Sequence, residues 1–272
     1  MHSASLVKIE QLSRSTRLFR FEVGEELVFT PGQFYRLTFR DGDGDFERSY
    51  SFGQLNLDSS QRYFDLVISE VSGGRATALL FNAEPGLLVR LRGPFGRLVL
   101  PEGEHRQLFL VATSVGLAPF LPILSELETH RHDAFESVHL LLGVRDESEF
   151  IFKDELLQLR SRADWFDLTV CYSREKQVHG PWTSLGYVTS ALTTFDLEPN
   201  EDFFLVCGNP HMIDDVYREL RALKFGPRRV IREKYVFAVQ EKTAVKGELS
   251  SKDQALLQRK MAQYTQQIIT ED

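Results

Sequence analysis

The stretch QLFLVATSVGLAPFLPILSELETH, residues 107–130, decides the fold. It begins as a continuous apolar run, which is typical of a strand buried on both faces of a sheet, and continues into a segment with helical character. The same order repeats in SVHLLLGVR with EFIFKDELLQLRSR, in DLTVCYSR with YVTSALTTF, and in DFFLVCGN with PHMIDDVYRELRAL. These strand-helix units, followed by a last strand in RRVIREKYVF, predict a parallel, doubly wound α/β sheet over residues 104–237.

The chain before this sheet has a different pattern. Period-2 segments such as RLFRFEV, FYRLTF, RYFDLVISEV and LLVRLRG alternate with the turn-forming sequences TPGQ, DGDGD, EPG and GPFG. Short strands at such regular spacing predict a small antiparallel β-barrel over residues 1–103, with one short helix at residues 76–81. The polar, turn-rich stretch PEGEH at residues 101–105 marks the predicted boundary.

Composition restricts the classes of function. The 272 residues are 42% apolar and 26% charged, as expected for two soluble domains. No apolar run has the length of a membrane span, and MHSASLVKIEQL lacks the apolar core of a signal peptide, so we expect a cytoplasmic protein. The net charge of -7 argues against nucleic acid as a partner. Two cysteines, Cys171 and Cys207, are too few for an iron-sulfur cluster, so we predict no metal site and expect any electron chemistry to need an organic cofactor.

Ligands of open parallel sheets bind where the strands end, in the loops TSVG, RDES, YSRE and CGNP. Thr113 to Gly116 lead into a helix whose amides could hold a pyrophosphate, although taken alone this loop is better explained as an ordinary strand-helix turn. Ser173 and Arg174 suit a phosphomonoester such as the 2′-phosphate of NADP, and a surface ion pair with Glu175 is the alternative for Arg174.

Two motifs in the predicted barrel also suit a phosphorylated, aromatic ligand. RSYS, residues 48–51, combines a cation, an aromatic ring and two hydroxyls, and strand alternation sends Arg48 and Tyr50 to one face and Ser49 and Ser51 to the other. GGRAT, residues 73–77, opens the short helix, so its amides and a threonine hydroxyl form a second candidate anion site.

Over roughly residues 5–237 the sequence resembles the ferredoxin-NADP(+) reductases and their relatives. The resemblance depends on the order and spacing of RSYS, of GGRAT with EPG and GPFG, of ATSVGLAPF, YSR and CGNPHM, and of EKYVF. It implies an FAD-binding barrel followed by an NADP-binding domain, with the flavin between them.

The resemblance also assigns roles to residues. It implies a catalytic group made of Ser51, Cys207, Glu233 and Tyr235, with Ser51 near flavin N5, the nicotinamide near Cys207 and Tyr235 covering the flavin face. The implied FAD-binding residues are Arg48, Ser49, Tyr50, Ser51, Val67, Ile68, Ser69, Gly74, Ala76, Thr77 and Tyr235. The implied nicotinamide-nucleotide contacts are Thr113, Val115, Gly116, Arg145, Ser173, Arg174, Gly208 and Met212.

The activity implied is electron transfer between NADP(H) and a separate acidic carrier, ferredoxin or flavodoxin, by hydride transfer at flavin N5. Alternatives are the reductase component of an oxygenase and an FAD-binding regulatory or electron-transfer subunit with impaired nicotinamide binding. Val115 stands where the family usually has threonine, and Tyr187 where many NADP-specific members have arginine; we still favour NADP over NAD.

Two further segments have open interpretations. Residues 218–234 carry seven basic and two acidic residues and form either a solvated helix face or a docking patch for an acidic protein. Residues 238–272 form a tail with a predicted helix, whose apolar face would pack on its own protein or on a partner. That face comprises Leu257, Met261, Tyr264 and Ile268.

Overall fold

The computed structural model describes residues 2–55 and 62–235, and it contains two six-stranded sheets. The first sheet is antiparallel and has the order β4-β3-β6-β1-β2-β5. Its strands are β1 (His2–Gln11), β2 (Thr16–Val23), β3 (Phe34–Asp41), β4 (Gly44–Ser51), β5 (Tyr63–Ser69) and β6 (Leu88–Phe95). One helix, α1 (Arg75–Phe81), follows β5, as the sequence predicts.

This sheet curls so that its two edge strands approach each other. The amide of Gly53, just after β4, donates to the carbonyl of Asp65 in β5 at 2.8 Å. Aromatic rings fill the interior: the centroid of Phe52 lies 4.7 Å from Phe64 and 5.0 Å from Tyr35. The predicted antiparallel barrel domain is therefore confirmed, and its sheet forms a half-barrel.

In strand β1 a bulge interrupts the alternation of buried apolar and exposed side chains. Its register against β2 shifts between Leu6 and Lys8, so Val7 is the extra residue of a bulge. Ala4 and Leu6 are buried, but the bulge moves the following side chains out of phase.

The second sheet is parallel throughout and has the order β10-β9-β8-β7-β11-β12. Its strands are β7 (His105–Thr113), β8 (Phe135–Val144), β9 (Phe166–Tyr172), β10 (Thr183–Leu185), β11 (Phe203–Gly208) and β12 (Val230–Lys234). Helices α2 (Phe120–Glu126), α3 (Lys153–Arg162), α4 (Val188–Leu192) and α5 (Pro210–Ala222) connect them. Separate apolar cores cover its two faces, as a doubly wound sheet requires.

The helices that enter from the rim are shorter than predicted. A 3₁₀ turn, Ser114–Leu117, precedes α2, because Ser114 adopts a positive φ of 50°. Between β8 and α3, a separate turn at Glu147–Glu149 and a left-handed Phe152 (φ 56°) delay the helix to Lys153. These irregular connections place polar side chains above the ends of the strands.

The two sheets meet along a seam that is both apolar and polar. Val67 of β5 belongs to the apolar core of the parallel sheet together with Ala118. Ser51 of β4 hydrogen-bonds to Glu233 of β12. Among the described residues, no helix is both long and apolar enough to cross a membrane. The predicted tail, residues 238–272, and the last two residues of EKYVF lie outside the described part of the chain.

Candidate active site

The centre of the site is the carboxyl end of β11, between β7 and β12. Gly208 ends this strand with a φ of +130°, a conformation that favours glycine. A Cβ there would lie 2.4 Å from Oγ1 of Thr113, so the two strand ends are in close contact. The Thr113 hydroxyl also accepts a hydrogen bond from the amide of Asn209 at 2.9 Å, which joins the loops TSVG and CGNP.

Gly116 and Val115 have packing roles in the first of these loops. A Cβ on Gly116 would lie 2.4 Å from the Cys207 carbonyl oxygen, so this glycine allows the 3₁₀ turn to approach β11. Val115 is 8% exposed and belongs to the apolar core of the sheet. The sequence suggested a phosphate-binding reason for the glycine, whereas its contact here is with protein backbone.

The four side chains expected to be catalytic converge at this point. Oγ of Ser51 donates to Oε1 of Glu233 at 3.3 Å. The Tyr235 hydroxyl lies near Ser51 and Cys207, whose side chains both affect its pKa. The backbone amide of Tyr235 donates to the Gly208 carbonyl at 3.0 Å, which places the ring beside the end of β11. Residues that are far apart in the chain therefore form one polar cluster at the seam.

Burial sets the protonation of this cluster. It raises the pKa of Glu233 to about 7, although the hydrogen bond from Ser51 opposes the shift. Burial, and then the nearby Glu233 carboxylate, raises the pKa of Cys207 well above its ordinary value. Burial also raises the pKa of Tyr235. Cys207 and Tyr235 therefore stay protonated at neutral pH, and Glu233 is the group that can exchange a proton there.

The half-barrel presents an aromatic and apolar surface beside this cluster. Tyr50 is largely buried, which raises the pKa of its hydroxyl to about 12, and its ring meets Phe39 edge-on. Val67, Ile68 and Ser69 lie on β5, which is an edge strand, so their outer backbone groups face away from the ladder with β2. A flat ring system can therefore contact both Tyr50 and the β5 edge.

The predicted anion site at α1 comprises backbone amides and the Thr77 hydroxyl, and the structure gives these groups different partners. Gly74 is the N-cap of α1, and the first intrahelical bond runs from Ala78 to Gly74, which leaves the amides of residues 75–77 for other acceptors. The Thr77 hydroxyl instead donates to the carbonyls of Val71 and Gly74 at 3.0 Å, so it stabilises the turn. Ala76 is buried at the start of the helix.

Two arginines converge on one phenyl ring next to this helix. The guanidinium carbons of Arg48 and Arg75 lie 5.5 and 4.2 Å from the centroid of Phe46. Arg75 forms a bidentate ion pair with Asp41 at 2.6 and 2.7 Å, and this pairing lowers the pKa of Asp41 to about 2. Sequence reasoning missed the pair, because DGDGD reads only as a turn. Ser49 is exposed on the outer face of β4, and Arg48 lies on the other face of this strand.

A second cationic region lies on the rim above β8 and β9. Arg145, Ser173 and Arg174 are exposed, and the amide of Arg174 donates to the Arg145 carbonyl at 2.8 Å, which joins their loops. Among the described residues, neither arginine forms a salt bridge. The alternative ion pair of Arg174 with Glu175 is absent there; Glu175 instead accepts from the Glu147 amide at 3.2 Å and lies 3.9 Å from Nε2 of His179.

Two other predicted contacts flank the rim. Tyr187 is 71% exposed at the N-cap of α4. Met212 is half-buried in the first turn of α5 and packs against the core on that side. Residues 2–55 and 62–235 contain no group of three or more metal-ligating side chains placed to hold an ion.

The arrangement fits a flavin dinucleotide in the half-barrel and a nicotinamide nucleotide on the sheet. Helix amides and arginines suit a pyrophosphate, Tyr50 suits a flat ring, and exposed guanidinium groups suit a phosphomonoester. The buried Ser51-Glu233-Tyr235-Cys207 cluster lies where the two would meet.

Comparison with known proteins gives the same division. An oxidoreductase FAD-binding domain matches residues 3–100, and an oxidoreductase NAD-binding domain matches residues 110–218. Ferredoxin-NADP reductase B of Sorangium cellulosum is 31% identical over 245 residues, covering 85% of this chain and 96% of that protein. The toluate 1,2-dioxygenase electron transfer component of Pseudomonas putida is 28% identical, covering 86% and 67%.

Solved structures share the fold. The Amycolatopsis cytochrome P450 reductase GcoB superposes with a TM-score of 0.75 at 26% identity, covering 86% of this chain and 69% of that one. A Neisseria gonorrhoeae ferredoxin NADP+ reductase with bound FAD and NADP gives a TM-score of 0.73 at 24% identity, covering 85% and 97%.

The fold, the geometry of the site and the two matched domains show that this chain is a flavoprotein oxidoreductase. Its FAD-binding half-barrel precedes a parallel NAD-binding sheet. Within that class, the chain belongs to the ferredoxin-NADP reductase family.

Proposed function

We propose that this protein is an FAD-dependent reductase that transfers electrons between NADP(H) and a one-electron carrier protein, ferredoxin or flavodoxin. The observation that supports this most directly is the cluster of Ser51, Glu233, Tyr235 and Cys207 at the seam. FAD and the nicotinamide, when bound, would supply the electron chemistry.

The chain's own residues would position the reactants and manage a proton. Arg48 and the first amides of α1 would hold the pyrophosphate of FAD, and Tyr50 would contact its ring system. Tyr235 would fill the nicotinamide position and exclude water until the nucleotide arrives, since its ring lies beside the buried Cys207. Glu233, hydrogen-bonded to Ser51, would hold or release a proton near neutral pH.

Exposed cations on the rim favour NADP over NAD. Arg145 and Arg174 present guanidinium groups that suit a 2′-phosphate, and the nearby Glu175 carboxylate contacts the Glu147 amide and His179. An acidic side chain directed at the ribose would favour NAD instead.

We expect the Arg174→Ala variant to raise the KM for NADPH by about tenfold, with little change for NADH, because one charge-assisted contact is lost.

The docking surface for the carrier has two candidates. In the basic segment, Arg218 pairs with Asp215 and Lys234 with Asp214. At about 1.5 Å per residue, α5 carries Arg218 and Arg221 roughly 12 and 17 Å from its first residue, Pro210. On the half-barrel, Arg36 and Arg92 flank the ring of Phe95, at 5.3 and 5.8 Å from its centroid.

The half-barrel surface lies closer to the cluster. Phe34 pairs with Phe95 in the ladder between β3 and β6 and with Ser51 in the ladder between β3 and β4. A Cβ on Gly96 would lie 3.4 Å from Oε2 of Glu233. Charge reversal at Arg36 and Arg92 should therefore slow carrier reduction more than charge reversal at Arg221 and Arg228.

A reductase component of an oxygenase system is the second candidate. Its support is the similarity to the Pseudomonas putida electron transfer component and to the Amycolatopsis P450 reductase. In that case the carrier would be a dedicated partner of the oxygenase, and the chemistry at the seam would be unchanged.

The test is a visible spectrum of the purified protein, recorded anaerobically before and after equal additions of NADPH and NADH. We expect a bound flavin that NADPH bleaches faster than NADH, and then re-oxidation on addition of ferredoxin or flavodoxin. A flavin that neither nucleotide reduces would refute the reductase and favour the regulatory alternative. Rapid reduction by NADPH without re-oxidation by either carrier would favour the oxygenase partner.

A further inference from the structure

A second polar contact crosses the seam, away from the Ser51-Glu233 cluster. The turn between β1 and β2 presents two serine hydroxyls to the carboxylate of Glu149, which lies in the loop that follows β8. Ser13 donates to Glu149 at 3.0 Å, and Ser15 donates to both oxygens at 3.1 and 3.3 Å. We call this contact the serine clamp.

The serine clamp is a specific contact rather than a loose surface encounter. Ser13 is only 8% exposed, so its hydroxyl is shielded from water. The carboxylate accepts hydrogen bonds from two donors, and the amide of Ser15 also lies 3.4 Å from the Ser13 hydroxyl. Hydrogen bonds to a charged acceptor are the stronger kind.

The loop held by the clamp is the one that carries Arg145. Three residues separate Arg145 from Glu149, and the turn Glu147–Glu149 lies between the strand end and α3. On its inner side the loop is anchored by Glu147, which accepts hydrogen bonds from the buried Tyr172 and from Lys153. The clamp supplies the outer anchor of the same loop.

The neighbouring loop is coupled to this one through its backbone. The Arg174 amide donates to the Arg145 carbonyl at 2.8 Å, and the Ser173 amide donates to the Val144 carbonyl at 3.0 Å. Fixing the loop after β8 therefore also fixes the loop that presents Arg174. Arg145 and Arg174 then lose less conformational entropy when an anion binds, and this loss of entropy opposes binding.

We propose that Glu149 is a positioning residue for the nucleotide phosphate: through Ser13 and Ser15, the half-barrel holds the Arg145 loop ready for the 2′-phosphate. The inference rests on the proposed function, since it takes Arg145 and Arg174 as the phosphate ligands. It predicts that the hydroxyls of Ser13 and Ser15, in the FAD-binding half-barrel, control the affinity of the parallel sheet for its phosphorylated nucleotide.

The experiment measures the binding of 2′,5′-ADP and of 5′-AMP to the full-length, FAD-loaded protein by calorimetry. In the Ser13→Ala/Ser15→Ala variant, we expect the Kd for 2′,5′-ADP to rise about fivefold to tenfold, with a change below about twofold for 5′-AMP. Glu149→Gln keeps the shape of the side chain, removes its charge and should act in the same direction, so it carries the test should the double variant fold poorly. The KM for NADPH should rise while that for NADH does not.

Matched controls separate positioning from general damage. Ser161→Ala removes a hydroxyl that bonds only within α3 among the described residues, and Glu128→Gln removes an exposed carboxylate paired with Arg162. Both should leave the Kd for 2′,5′-ADP unchanged. Equal losses of 2′,5′-ADP and 5′-AMP binding in the clamp variants would overturn the inference, because they would indicate a merely structural role.

Arg145→Ala distinguishes the failure of this inference from that of the proposed function. If Arg145→Ala weakens 2′,5′-ADP binding and the clamp variants do not, the inference alone is overturned. If Arg145→Ala has no effect either, the phosphate assignment in the proposed function fails, and the inference fails with it.

Discussion

Replacing Glu233 with glutamine should remove a pH dependence from the stability of the protein. Burial raises the pKa of this carboxyl from 4.5 to about 7 in the folded state. Between those values the folded protein holds a proton that the unfolded chain has released, so stability falls as the pH rises through this window. Below this pH window Glu233 is protonated in both the folded and the unfolded state. Above the window the folded protein carries the buried negative charge of Glu233.

The size of the effect follows from the shift. At 1.36 kcal/mol per pKa unit, wild type should lose about 3 kcal/mol relative to Glu233→Gln between about pH 4.5 and about pH 8.5. Glutamine can still accept the Ser51 hydrogen bond, so the variant keeps the geometry of the cluster. Groups that titrate in both proteins cancel in the difference.

The assay is urea unfolding of both proteins at several pH values, with saturating FAD in every sample. Glu128→Gln is the control, because it removes a surface carboxylate and should track wild type at every pH. A difference between wild type and Glu233→Gln that stays constant across the range would refute the reasoning, since it would mean that Glu233 titrates alike in the folded and unfolded states.

Two further substitutions test contacts at the two ends of the parallel sheet, one at the site and one at the amino ends of β7 and β11. Gly208→Ala should destabilise the protein by at least about 2 kcal/mol, because φ is +130° and the new Cβ would lie 2.4 Å from Oγ1 of Thr113; Gly24→Ala, in open space, should change thermal stability little. Arg106→Met should cost about 3 to 5 kcal/mol in chemical denaturation, because it leaves the fully buried Asp202 carboxylate without its bidentate partner, and wild-type stability would contradict this.

Much of the architecture could be predicted because the two hydrophobic periods differ so clearly. Continuous apolar runs such as the one in β7 need cover on both faces, and the alternating runs of the half-barrel need it on one. The rule that ligands bind at the ends of parallel strands then singles out the loops that contain Thr113 and Gly208. The resemblance to the family added Ser51 and Glu233, which lie 3.3 Å apart.

Contacts between irregular segments could not be predicted, because no periodicity records them. The bulge at Val7 breaks the alternation of β1, and the Asp41-Arg75 pair joins a turn to a helix far along the chain. Glu149 reads as the start of a helix, whereas the left-handed Phe152 separates it into a turn of its own. The Glu149 side chain acquires its partners Ser13 and Ser15 only when the two sheets come together.

The bond between Ser51 and Glu233 joins residues 182 positions apart. At a synthesis rate of about 5 to 20 residues per second, roughly ten to forty seconds pass between the appearance of one residue and the other on the ribosome. The half-barrel can fold during that interval, but its polar edge at Ser51 must wait for β12. Completion of the reactive cluster is therefore a late event in the biosynthesis of the protein.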